Sequence, residues 1–123
     1  MPSILLVEDD FQIRAMLSET LGQEGYEVIE AEHGKRALEL FEFRRPDLIL
    51  TDILMPEKEG LSLITELRRL DPEVKIIAIS GGAPTLTPEC NLDLARMFGA
   101  GRVFSKPLDI DELLKAIKEM VQG

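Results

Sequence analysis

Three carboxylates follow four apolar residues in the run Ile4-Leu5-Leu6-Val7-Glu8-Asp9-Asp10. Two carboxylates about 4 Å apart repel by about 4 kcal/mol at an effective dielectric of about 20, so such a knot calls for a cation or strong donors beside it. Farther along, Asp52 follows Leu48-Ile49-Leu50-Thr51, Ser80 follows Ile76-Ile77-Ala78-Ile79, and Lys106 follows Val103-Phe104-Ser105. An acid pair, a separate aspartate, a hydroxyl and an ammonium together suit phosphoryl transfer onto a carboxylate. Asp52 is the candidate nucleophile, forming a mixed anhydride with phosphate. Glu8 and Asp9 offer oxygen ligands for a hard divalent ion, and Mg2+ fits because it takes few carboxylates and keeps several waters. The ion would neutralise the acids, hold a phosphoryl oxygen in line with Asp52 and offset the charge that develops in transfer. Lys106 would pair with Asp52 before transfer and with the phosphoryl group after it, and Ser80 would donate its hydroxyl to another phosphoryl oxygen.

Each of these residues also has a plainer reading. Asp10, nearest the following helical pattern, reads as its cap, while Asp52, Ser80 and Lys106 could be turn residues ahead of Pro56, Gly81 and Pro107. Position weighs against four separate turns, because every one of these side chains sits where an apolar run ends.

Those runs lack polar alternation, the mark of strands buried on both faces; they lie at residues 4–7, 26–29, 48–50, 75–79 and 103–104. Helical patterns fall between them. Ile13, Met16, Leu17 and Leu21 share a face closed by Gly25; Ala37, Leu38 and Phe41 share another before Pro46; Leu61, Ile64, Leu67 and Leu70 make a third. Asp109 and Glu112 form a capping-box pattern opening a last helix with Leu113, Leu114, Ile117 and Val121 inward. Residues 81–94 hold two Gly and two Pro and read as a long loop, before Leu94, Ala95 and Phe98 suggest a short further helix. A β-α unit repeated five times implies an α/β fold: a five-stranded parallel sheet in order 2-1-3-4-5, doubly wound, with helices on both faces. Ligands of such sheets bind beyond the carboxyl ends of the strands, where Glu8, Asp9, Asp52, Ser80 and Lys106 converge.

The 123 residues fit one domain, 1–123, and the chain is expected to carry no output domain. With 23 acidic against 14 basic side chains and a formal net charge of -9, direct binding of nucleic acid or an anionic membrane is not expected. No apolar run approaches the roughly 18 residues of a membrane span, and Cys90 has no partner for an internal disulfide, so the expected location is cytoplasmic.

ILLVEDD, TDILMP, AIS followed by GG, and FSKP, in this order and spacing, resemble the receiver domain of bacterial two-component response regulators, in its stand-alone, chemotaxis-regulator-like form. The resemblance runs from Ile4 to about Val121 and implies a flavodoxin-like three-layer sandwich. It implies a phosphorylation-dependent signalling switch, in which Asp52 accepts a phosphoryl group from a phosphohistidine on a sensor histidine kinase or phosphotransfer protein. It also implies Mg2+ held by Glu8, Asp9, Asp52 and the backbone carbonyl of Leu54, roles for Ser80 and Lys106 as above, and a cis bond between Lys106 and Pro107. The surface that responds would comprise residues 94–98, the fifth strand and residues 111–118, offered to a downstream protein or to a second copy of the chain. The chain departs from the family at Val103, where an aromatic residue is usual, with Phe104 on the opposite strand face.

Other functions fit parts of the same pattern. A Mg2+-dependent phosphohydrolase with an aspartyl nucleophile usually carries a second acid two residues on, where this chain has Leu54. A protein-interaction module that is never phosphorylated would not need the acid set and Lys106. His33 reads as a solvated loop histidine, Cys90 as inert, and the pairs Arg44-Arg45 and Arg68-Arg69 as helix ends suited to the macrodipole.

Overall fold

The computed structural model describes residues 1–52, 59–80, 101–105 and 108–122, with backbone alone at 59–61, 80, 103 and 105. The elements run β1 (Ser3–Val7), α1 (Phe11–Gln23), β2 (Glu27–Ala31), α2 (Gly34–Phe43), β3 (Leu48–Asp52), α3 (Glu59–Leu70), β4 (Ile76–Ser80), β5 (Arg102–Ser105) and α4 (Ile110–Gln122). The strands pair in parallel in the order β2-β1-β3-β4-β5.

The expected fivefold β-α repeat with its fully flanked five-stranded sheet is corrected in one respect. Among the described residues the helices number four, and the part of the sheet they cover on both faces is the four-stranded β2-β1-β3-β4; β5 is a four-residue strip along the outer side of β4, packed through Phe104 on the side of α1 and α4. The short helix expected at 94–98 lies outside the described residues.

Strand alternation divides the core in two. Leu5, Val7, Ile49, Ile76 and Ala78 point to the side of α2 and α3, meeting Ala37, Phe41, Leu63, Ile64 and Leu67. Ile4, Leu6, Leu48, Leu50, Ile77 and Ile79 point the other way, meeting Leu17 and Leu21 of α1 and Leu113, Ala116 and Ile117 of α4. Burial on both faces explains why β1 and β3 read as continuous apolar runs.

Helix ends follow local rules with two departures. The N–H of Gly25 donates to Gly22 O at 3.1 Å and that of Tyr26 to Leu21 O at 3.2 Å, while Gly25 takes φ 92°; this closing geometry requires a residue tolerant of positive φ. Asp109 Oδ1 accepts from the N–H of Glu112 at 3.2 Å, the cap expected for α4. His33, by contrast, is no solvated loop residue: its Nδ1 accepts from the N–H of Arg36 at 3.1 Å and caps α2. Met16 is also misplaced by the pattern, lying 43 % exposed on the outer side of α1 while Leu17 and Leu21 are buried.

At the sheet's rim, β2 carries Glu27 and Glu30. Arg44, at the end of α2, grips Glu27 through Nη1 and Nη2 and holds its carboxyl below the usual carboxylate range.

Candidate functional site

β1 ends at Val7, and the ladder goes one step further: the Glu8 N–H donates to Ala31 O at 3.1 Å. The chain then turns into α1, whose first free N–H groups, on Gln12 and Ile13, donate to Asp10 Oδ1 at 2.9 and 3.1 Å. Asp10 is thereby committed to the helix, as its position suggested. Glu8, whose Oε1 accepts from the Asp10 N–H at 3.4 Å, and Asp9 face the end of the neighbouring strand.

That strand is β3, central in the sheet. Asp52 is its last residue, continues the row of Leu48 and Leu50, and pairs in register with Ile79. Thr51, one residue before it, is fully buried, with its hydroxyl donating to Asp52 O at 3.1 Å. Glu8, Asp9 and Asp52 each bring one carboxylate oxygen to within 4.8 Å of the others. Glu8 is 2 % exposed and Asp52 3 %, so water screens their mutual repulsion poorly.

The donor set is carboxylate oxygen, the chemistry of a hard cation. In an octahedron with Mg–O bonds of about 2.0–2.1 Å, ligand oxygens stand about 3 Å apart when adjacent and about 4 Å when opposite. Oxygens within 4.8 Å of one another reach that spacing by small side-chain rotations. The residues present therefore fit Mg2+, which is the cofactor of this chain.

Ser80 ends β4 one step beyond Ile79, the register partner of Asp52, and itself pairs with Ser105 of β5. The chain thus delivers the expected hydroxyl position to the same sheet edge as the acids; the Ser80 side chain, Leu54 and Lys106, with the bond to Pro107, lie outside what is described. Val103 pairs with Ala78, and Phe104 packs on the cluster shared with α1 and α4.

One residue of the site went unread in the sequence. Arg14 Nη1 donates to Glu8 O at 2.9 Å, and its Nε donates to Glu30 Oε1 at 3.2 Å. Its signal was a local misfit, since a cation in the first turn of a helix opposes the macrodipole and implies anionic or carbonyl partners nearby.

The sequence profile of the family described as response regulator receiver domain matches residues 4–118. The response regulator receiver protein CpdR of Brucella abortus is 36 % identical over 122 residues, covering 98 % of both chains. Sporulation initiation phosphotransferase F of Bacillus subtilis is 33 % identical over 119 residues, 94 % of this chain and 90 % of that one. Among solved structures, the response regulator protein TrrA of Thermotoga maritima, in complex with Mg2+-BeF, superposes with a TM-score of 0.85 at 34 % identity. That match covers 98 % of this chain and 99 % of the other.

Proposed function

Because this chain belongs to the response regulator receiver domain family, we propose that Asp52 is the phosphoacceptor of a phosphorylation-dependent signalling switch. The observation that carries this reading is a nearly buried aspartate at the tip of the central strand, within 4.8 Å of two further carboxylates from the turn that follows the neighbouring strand. An Asp52 oxygen attacks phosphorus in line as the P–N bond of a phosphohistidine breaks; the electron pair leaves with the imidazole, and an acyl phosphate forms. Glu8, Asp9 and Asp52, with the carbonyl of Leu54, would hold Mg2+, which would offset the negative charge accumulating on the phosphoryl oxygens. Ser80 donates its hydroxyl to a phosphoryl oxygen, and Lys106 pairs with Asp52 before transfer and with the phosphoryl group after it. Reversal by water breaks the acyl phosphate and returns the carboxylate, so the module turns over only its own phosphorylation state.

The donor is a sensor histidine kinase or phosphotransfer protein, and the reading places the chain in the cytoplasm as one receiver unit. Among the described residues no helix is long and apolar enough to cross a membrane. The phosphoryl group adds about -1.5 to -2 charge, enough to bias a two-state surface whose forms differ by a few kcal/mol. That surface, formed by residues 94–98, β5 and residues 111–118, meets the downstream partner.

Incubation with Mg2+ and acetyl phosphate, read by intact mass, is expected to add one phosphoryl group to the wild type and none to Asp52→Asn. Equal labelling of the variant would move the acceptor elsewhere. Repeated turnover of a free phosphate ester by the wild type would instead indicate a phosphohydrolase.

A further inference from the structure

We propose that Arg14 is a positioning residue of the metal site, and that it acts on the backbone of the β1–α1 turn rather than as a charge. The inference rests on the reading of Glu8 and Asp9 as Mg2+ ligands. Arg14 sits four residues after Asp10, its own N–H bonded to Asp10 O at 2.9 Å in the first turn of α1. From there its guanidinium makes three different contacts. Nη1 donates to Glu8 O at 2.9 Å, Nε donates to Glu30 Oε1 at 3.2 Å, and the group lies 5.7 Å from the ring centroid of Phe11. Glu30 is held in turn by the Ser18 hydroxyl at 3.3 Å.

The bond to Glu8 O is the informative one. That carbonyl belongs to the peptide joining Glu8 to Asp9, so its direction sets how the two ligand side chains leave the backbone. One peptide earlier, the Glu8 N–H is already held by Ala31 O at 3.1 Å. Arg14 ties the carbonyl to Glu30 at the exit of β2, one strand away, and only 15 % of the Arg14 side chain is exposed. A rigid planar fork can serve two acceptors in fixed directions; an ammonium on a flexible stem cannot hold both in the same way.

Positioning and simple charge predict opposite signs. A cation near the acids competes with Mg2+, so if charge were the whole role, Arg14→Met would bind Mg2+ more tightly than wild type. If Arg14 positions the turn, Arg14→Met binds more weakly despite the gain in negative potential, and Arg14→Lys, which keeps the charge, is weakened as well. Loss of partners that orient metal ligands typically lowers affinity about 10- to 100-fold.

The test is calorimetric titration of the chain with MgCl2, with circular dichroism and thermal midpoints recorded for each variant. Weakening of about tenfold or more in both Arg14→Met and Arg14→Lys is expected, with Glu30→Gln weakened less and in the same direction. Tighter or unchanged binding by Arg14→Met, with Mg2+ binding intact in wild type and lost in Asp9→Asn, overturns the positioning role while leaving the metal site standing. Failure of wild type itself to bind Mg2+ overturns the site and this inference together. Should Arg14→Met not fold, Arg14→Lys and Glu30→Gln decide: unchanged affinity in both overturns the role.

Discussion

At the scale of single residues, the site is built against stability. Glu8 and Asp52 are almost wholly removed from water beside Asp9, and a pair of charges at 4.8 Å repels by about 3 kcal/mol at an effective dielectric of about 20. Asp9 is exposed, which weakens its share through solvent screening. Asparagine matches aspartate in shape and removes one charge. Asp52→Asn is therefore expected to raise stability by about 1–2 kcal/mol in Mg2+-free buffer, measured by urea unfolding, as sites tuned for function often permit. A destabilised variant would mean that donors hold the carboxylate more strongly than the two acids repel it. These three acids were legible because burial and strand ends place them, and both leave marks in a linear sequence. The bond from Arg14 to the Glu8 carbonyl was not, since a misplaced cation announces that it has partners but not which backbone group is one of them. His33 escaped for a related reason, being a poor capping residue by rank whose Nδ1 serves here by geometry.

At the scale of elements, β2 and α2 are joined at the end remote from the acids. Arg44 closes α2 and binds Glu27 at the start of β2. The guanidinium's hydrogen bond holds the Glu27 carboxyl below its ordinary value of 4.5 and raises the Arg44 group above its own. The folded form thus binds a proton at Glu27 less readily than the unfolded chain. Its contribution is complete above the ordinary carboxylate range and is lost as pH falls through the depressed value. Glu27→Gln should accordingly be less stable than wild type at neutral pH and equal to it in acid, when unfolding midpoints are compared across pH. A constant difference at every pH would place the effect in packing instead. Periodicity located α2 through Ala37 and Phe41 but admitted Met16 to the wrong side of α1, because a residue three positions from Ile13 shares its face only approximately.

At the scale of the whole molecule, the ligands come from strands that are neighbours in space and distant in sequence, so the ion's site exists only in the folded chain. Mg2+ at a hundred times its dissociation constant should then stabilise the fold by about 2.7 kcal/mol, a rise in Tm of about 10 °C for a domain of this size. Scanning calorimetry with and without MgCl2 measures it, and Asp9→Asn should abolish most of the rise. A Tm indifferent to the ion would show that the acids gather without binding it. The alternation of strands and helices was readable because each β-α unit buries its own apolar face. The loop expected at 81–94 and the helix expected at 94–98 lie outside the described residues.

The carboxylates along β2 have a consequence for behaviour at high concentration. A sheet border offers its unpaired peptide groups to any extended stretch of another chain, and Glu27 and Glu30 line one such border. An incoming strand would have to strip water from these acids and break their arginine pairs. Crowding should therefore leave this protein resistant to fibril growth from that flank.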